Sequence, residues 1–424
     1  MKKNINIYLK YYLSILLFFS VFYLQHKHAV GNDSTISEWL INYSGGFTKR
    51  GIVGQFCIYF AKYFNLNLRD SILIFQITIL IIYFTTLYFF LRNIEINRIL
   101  ILAIFTPVFI LYPVAEIEVL ARKETFIFCI YLFYLFLSKN TYRFYYKLLV
   151  LPLAVLIWEP VFFFFLFFFA VDLIHLRLRK LDIEFIKSIS SFIPATILVF
   201  YLALNPLSPE NHLTMSNYLM INFNEICYTS CQLLVSKSSI YQQFIGNFNS
   251  YSFSIFFRYI LIILISFGPL ILLAFNSTLK NSRVIFFEKF NNLLGPILLC
   301  LTPVIFLFAM GYDWGRWVNI SYVFSILFYI YLYKSNQITL NKKKINNKPF
   351  VFLNNKKIFI IIIIIFCFGW NPKTVMTGDV ATNPLWKIPY NATKILFGFN
   401  SFRILQESPI SKWQKKYIEQ FNYL

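Results

Sequence analysis

Charge is what this chain has least of. Asp, Glu, Lys and Arg make up 13% of its 424 residues, where soluble domains carry about 25%, so no soluble domain of ordinary size fits between its apolar runs. Glycine is scarce as well, with 13 residues against a usual share of about 7%. That scarcity, with no visible internal repeat, speaks against a transporter built from paired repeats. The four histidines include none in a convincing catalytic setting, which speaks against a lipid acyltransferase. No Walker loop, HExxH, GxSxG or dinucleotide fingerprint occurs, which removes support for soluble nucleotide chemistry. The six cysteines have no zinc-ligand spacing, so no metal and no cofactor is expected.

What the chain does have is apolar length. It is 58% hydrophobic and 21% aromatic, with long runs recurring almost throughout, and reads as an all-α, polytopic transmembrane bundle. The net charge of +21 comes from cations gathered in short loops between the runs. This pattern sets membrane orientation and is not a nucleic-acid footprint, so no nucleic-acid partner is expected. A span needs about 20 residues, and about eleven spans can be placed, near 8–24, 71–91, 99–114, 125–137, 142–158, 160–176, 191–204, 257–275, 293–310, 318–333 and 358–370. Residues 148–174 also fit one long helix kinked at Pro160. A hairpin turning at Glu159-Pro160 keeps every basic loop on the inner side and is preferred. The first helix reads as retained, with the amino terminus inside and the carboxyl terminus outside. Outer segments are then 25–70, 205–256 and 371–424 in a single membrane domain, with an interfacial helix over 53–64. Cys227 and Cys231 share an outer polar loop, close enough to bridge in an oxidising compartment. His212, alone in that loop, reads as a surface residue.

On this topology the unusual polar residues collect on the outer side: Asp33, Glu38, Lys49, Arg50, Glu116, Glu118, Arg122, Lys123, Glu124, Glu159, Asp313 and Arg316. Ionisable groups near membrane depth are costly and commonly functional. The stretch Gly45-Gly46-Phe47-Thr48-Lys49-Arg50-Gly51 reads as one wall of a site for a phosphate-bearing lipid, its glycines leaving backbone N–H groups accessible. The plainer alternative is a turn leading into an interfacial helix whose cations touch lipid headgroups. Arg122 and Lys123 can equally cap a helix beside Glu118 or Glu124. Asp313 and Arg316 can form a local ion pair, with Trp314 and Trp317 as interface anchors.

Three motifs, Gly45-Gly46-Phe47-Thr48-Lys49-Arg50-Gly51-Ile52-Val53-Gly54, Arg122-Lys123-Glu124 and Asp313-Trp314-Gly315-Arg316-Trp317, resemble a group of bacterial membrane proteins of surface-polysaccharide clusters. These are described as O-antigen or capsule repeat-unit polymerases. The resemblance implies an inner-membrane enzyme acting at the periplasmic face on a polyprenyl-diphosphate-linked glycan, with membrane lipids and a chain-length regulator as partners. The fold would be similar to C-type membrane glycosyltransferases, in which an acid of the first outer loop is the base; Asp33 or Glu38 would be the counterpart. Lys49, Arg50, Arg122, Lys123, Asp313 and Arg316 would bind the diphosphate, with Glu159 or a first-loop acid serving the acceptor hydroxyl. No metal is required where arginines stabilise the leaving group. Two alternatives stay open: a transferase adding one sugar from a polyprenyl-phosphate-sugar, and a flippase for the lipid-linked oligosaccharide.

Overall fold

The structure, a computed structural model, describes residues 2–30, 34–95, 97–178, 180–236, 239–280, 284–341, 355–377, 380–382 and 384–398. It is 73% helix and 3% strand, the strands forming two short antiparallel ribbons, β1 (Ser277–Leu279) with β2 (Ile338–Leu340) and β3 (Trp370–Pro372) with β4 (Val380–Thr382). The helices used below are α1 (Lys2–Val30), α2 (Gly51–Phe64), α3 (Leu68–Leu91), α4 (Arg98–Phe105), α5 (Lys123–Phe136) and α6 (Asn140–Ile157). They continue as α7 (Glu159–Leu176), α8 (Ile183–Leu204), α9 (Pro209–Phe223), α10 (Ile240–Phe248), α11 (Phe253–Phe275), α12 (Leu294–Met310), α13 (Trp314–Lys334), α14 (Lys356–Ile362) and α15 (Pro384–Leu396).

Among the described residues, five helices are long and apolar enough to cross a membrane on their own: α1 from Asn6 to Ala29, α3, α7, α8 and α11. Their outward faces carry large apolar side chains such as Phe18, Ile82, Phe200 and Leu264. That surface is costly in water and suits a hydrocarbon solvent. The remaining apolar runs are shorter or broken. The run 99–114 is an eight-residue helix, α4, because Pro107 pushes Thr106 into extended backbone at ψ 143°. Its unwound continuation is buried. Asn319 donates to the free carbonyls of Val108 and Phe109 at 2.8 and 3.3 Å, and Tyr322 donates to Ala103 O at 2.6 Å. Irregular backbone survives in an apolar interior when such partners satisfy it. These donors belong to α13, which is buried from Trp314 to Leu332 and forms the axis of the bundle.

The chain doubles back between α6 and α7. Trp158 breaks the helix with φ −159° and ψ 96°, and the first turns of α7, Glu159–Phe164, are 3₁₀. Lys147 and Arg143 near the start of α6 reach Asp172 near the end of α7, Arg143 at 3.9 Å. A single straight helix would separate positions 143 and 172 by about 40 Å at 1.5 Å per residue, so the two segments lie side by side with Glu159 at their common tip.

The segment 205–256 is folded. It holds α9 and α10, and its Cys227 and Cys231 are disulfide-bonded. Glu225 takes a two-pronged contact from Arg69 at 2.5 and 3.0 Å. Of the segment 371–424, residues 399–424 lie outside the described residues. The described part is held by Glu116, which faces Lys373 at 3.5 Å and Lys387 at 3.4 Å.

Candidate functional site

The bend between α6 and α7, the ends of α1 and α12 and the starts of α2, α5 and α13 meet at one end of the bundle, and their charged residues form one cluster. Arg50 is the last residue before α2, in left-handed backbone at φ 63°. Its carbonyl accepts from Lys123 Nζ at 2.6 Å. Its guanidinium donates through Nε and Nη2 to the two oxygens of Glu159 at 2.7 and 2.9 Å, the bidentate geometry that arginine offers a carboxylate. Lys49 Nζ lies 3.8 Å from the same carboxylate.

Behind this pair is a buried layer. Glu38 accepts from Arg122 Nε at 2.7 Å and has Arg50 and Arg316 each 3.8 Å from its second oxygen. Arg316 contacts Glu124 and donates to Asp313 at 2.9 Å, and Arg122 lies 3.7 Å from Asp313. Burial opposes ionisation of Glu38, but Arg122, Arg316, Arg50 and Lys123 outweigh it and hold the carboxyl at about 2. Five cations thus face four carboxylates, Glu38, Glu124, Glu159 and Asp313, leaving one positive charge in excess.

Gly54 and Gly315 serve packing. A Cβ on Gly54 would sit 2.0 Å from Ile41 O, so α2 crosses directly over the 39–41 backbone. A Cβ on Gly315 would sit 1.9 Å from Lys373 O, and Gly315 N donates to Thr374 O at 3.1 Å. At the paired glycines, a Cβ on Gly45 would sit 1.9 Å from Asn211 O, whereas Gly46 is exposed in left-handed backbone at φ 113°. The cations of the loop face open space.

That space is a cavity of about 200 Å³. Lys49, Arg50 and Glu159 form a charged wall, while most of the rest is apolar, Phe163, Val199, Leu202, Leu207, Leu307 and Met310 among it. Pockets for drug-sized ligands run about 300–1,000 Å³, so this one suits a headgroup and the start of an apolar tail.

The predicted residues separate into two layers. Lys49, Arg50, Glu159 and Asp313 keep side-chain exposures of 27, 20, 20 and 28%, and the first three line the cavity. Glu38, Arg122, Lys123 and Arg316 are buried and hold the outer layer in place. Asp33 lies outside the described residues. Reading the sequence missed Trp317, whose indole lines the cavity and whose Nε1 is buried without a hydrogen-bond partner, and Gln243, brought to the cavity by α10. It also missed Arg143, Lys147 and Asp172, though an aspartate inside an apolar run is itself a signal. His212 is no bare surface residue: its Nε2 lies 3.2 Å from Cys227 Sγ. Compared with protein-family models, with curated proteins and with solved structures, the chain has no match in any of the three.

Proposed function

We propose that the chain is a glycan polymerase of the bacterial polyprenyl-diphosphate pathway, acting at the periplasmic face of the inner membrane. It transfers a growing chain from the lipid diphosphate to a hydroxyl of the next lipid-linked repeat unit. The bond from the anomeric carbon to the diphosphate breaks, a glycosidic bond forms, and the acceptor hydroxyl loses its proton. The observation that carries this reading is the Lys49–Arg50–Glu159 wall on an otherwise largely apolar cavity, a chemistry matched to a diphosphate joined to a hydrocarbon.

Arg50 and Glu159 are each other's partner. An incoming diphosphate competes for Arg50 and Lys49, which releases the Glu159 carboxylate to take the acceptor proton. The leaving diphosphate stays paired with the two cations. Glu38 has no such freedom, because it is fully buried and bound by arginine. We assign it to positioning Arg50 and Arg122, not to proton transfer.

The test is the surface polysaccharide of cells carrying Lys49→Ala, Arg50→Ala or Glu159→Gln in place of the wild-type gene, resolved on a gel. The expected result is a single repeat unit on the lipid core, with the protein still present in the membrane. Long chains in all three strains would remove the proposed site. Loss of every repeat unit would favour a flippase, and a repeat unit short by one sugar would favour a single-sugar transferase.

A further inference from the structure

A second polar cluster sits toward the far end of the α6–α7 pair, about 16–23 Å from the bend at 1.5 Å per residue from Trp158 back to Lys147 and Arg143. Arg143, Lys147 and Asp172 are buried there and border a cavity of about 340 Å³ with Asn140, Thr141 and Lys187. Lys147 spends its three protons on Asp172, Ser188 O at 3.0 Å and Ser188 Oγ at 3.1 Å. Asp172 is taken up by Lys147, by Ser188 Oγ at 2.9 Å and by the Tyr134 hydroxyl. Arg143 donates from Nε to Leu137 O at 2.9 Å and from Nη2 to the Tyr331 hydroxyl at 2.7 Å. Its Nη1 is buried with no hydrogen-bond partner, 3.9 Å from Asp172. On the rim, Lys187 pairs with Glu184 at 2.9 Å and adds no net charge.

Two buried cations therefore share one carboxylate that is already saturated, and Arg143, which borders the cavity, keeps one nitrogen without a hydrogen bond. Leaving a buried charge without a partner is costly, and a guanidinium edge matches a phosphate oxygen in both charge and geometry. We propose that this cavity binds a phosphate group, drawn by the incompletely compensated charge of Arg143 at its wall, independently of the reaction proposed at the other end. The phosphate can belong to an anionic lipid headgroup or to a soluble phosphate ester. Exposed apolar side chains nearby, Tyr145, Leu149, Ile183 and Ile186, offer a bed for acyl chains, and basic pockets between membrane helices are used for headgroups in this way.

Native mass spectrometry of the delipidated full-length protein tests the proposal, with phosphatidylglycerol, phosphate-free diacylglycerol and glycerol 3-phosphate each titrated separately. Wild type is expected to retain one phosphatidylglycerol at least tenfold more tightly than diacylglycerol. Thr141→Trp, at an exposed position that fills the cavity, and Arg143→Gln should each lose that preference. Thr141→Trp leaves the buried ion pairs intact, so the test stands even where Arg143→Gln fails to fold. Tight glycerol 3-phosphate binding that both variants abolish would support the phosphate site and assign it a soluble ligand. Equal phosphatidylglycerol retention by wild type and Thr141→Trp, or no preference for either phosphate compound, would overturn it.

Discussion

Glu38 is the residue on which the arginines of the site converge, and its removal should cost more than that of any cavity-lining group. Glu38→Gln leaves Arg122, Arg316 and Arg50 without their shared counter-charge. Breaking a buried pair from one side costs about 3–5 kcal/mol, so the variant should unfold at a clearly lower temperature in detergent. The pH dependence has a definite sign. The carboxyl is held at about 2 when folded against 4.5 as its ordinary value, so the unfolded chain binds the proton first. The stability that Glu38 contributes is present above pH 4.5 and is lost as pH falls toward 2. Thermal melts between pH 6 and pH 2.5 should show wild type losing stability below pH 4.5 and Glu38→Gln losing distinctly less; parallel curves would refute this. Lys49, Arg50 and Glu159 were legible in the sequence because cations beside glycines and an acid before proline interrupt long apolar runs. The division of labour was not legible. Arg50 and Arg122 look alike in one dimension, and only packing makes one a cavity wall and the other a buried strut.

Elements tell a similar story at larger size. The doubling back at Trp158 was foreseeable from charge, since it keeps the basic loops on one side. The fate of the run 99–114 was not, because its apolar composition continues past the point where Pro107 ends the helix. What makes the unwound stretch tolerable is Asn319 and Tyr322, more than two hundred residues away. Helix α2 depends on an equally distant kind of fit, the absence of a side chain at Gly54. Gly54→Ala should force α2 away from the 39–41 backbone, costing about 1–3 kcal/mol as overpacking does. Because Arg50 immediately precedes α2, the same change should displace the cavity wall. Fluorescence-detected size exclusion after graded heating measures the first effect. An unchanged melting temperature would show that the crossing can open freely.

For the whole molecule, an all-α bundle with apolar outer faces follows directly from composition. The number of crossings does not. Eleven apolar runs can be counted, while five of the described helices are long and apolar enough to cross unaided. Segments such as α4 and α5, buried along most of their length, owe their place to protein neighbours, which no local window can see. Orientation rests on the charge bias alone and is open to direct measurement. A reporter enzyme fused after Lys180 is expected to read cytoplasmic, and one fused after Asn205 periplasmic; the reverse pair of signals would invert the bundle and place the charged cavity on the inner side.

The partners in the ionic cluster are also made at very different times. Glu38 meets Arg122 after 84 residues, and Arg50 meets Glu159 after 109, so both pairs can close while the first half of the chain is being inserted. Glu124 waits for Arg316, which arrives only in the last third of synthesis. Until then the nascent bundle carries an acid without its ion-pair partner at a position destined for its interior. A chain stopped before α13 lacks both its central axis and that neutralising arginine. The charged cluster is therefore complete only once translation has passed Arg316.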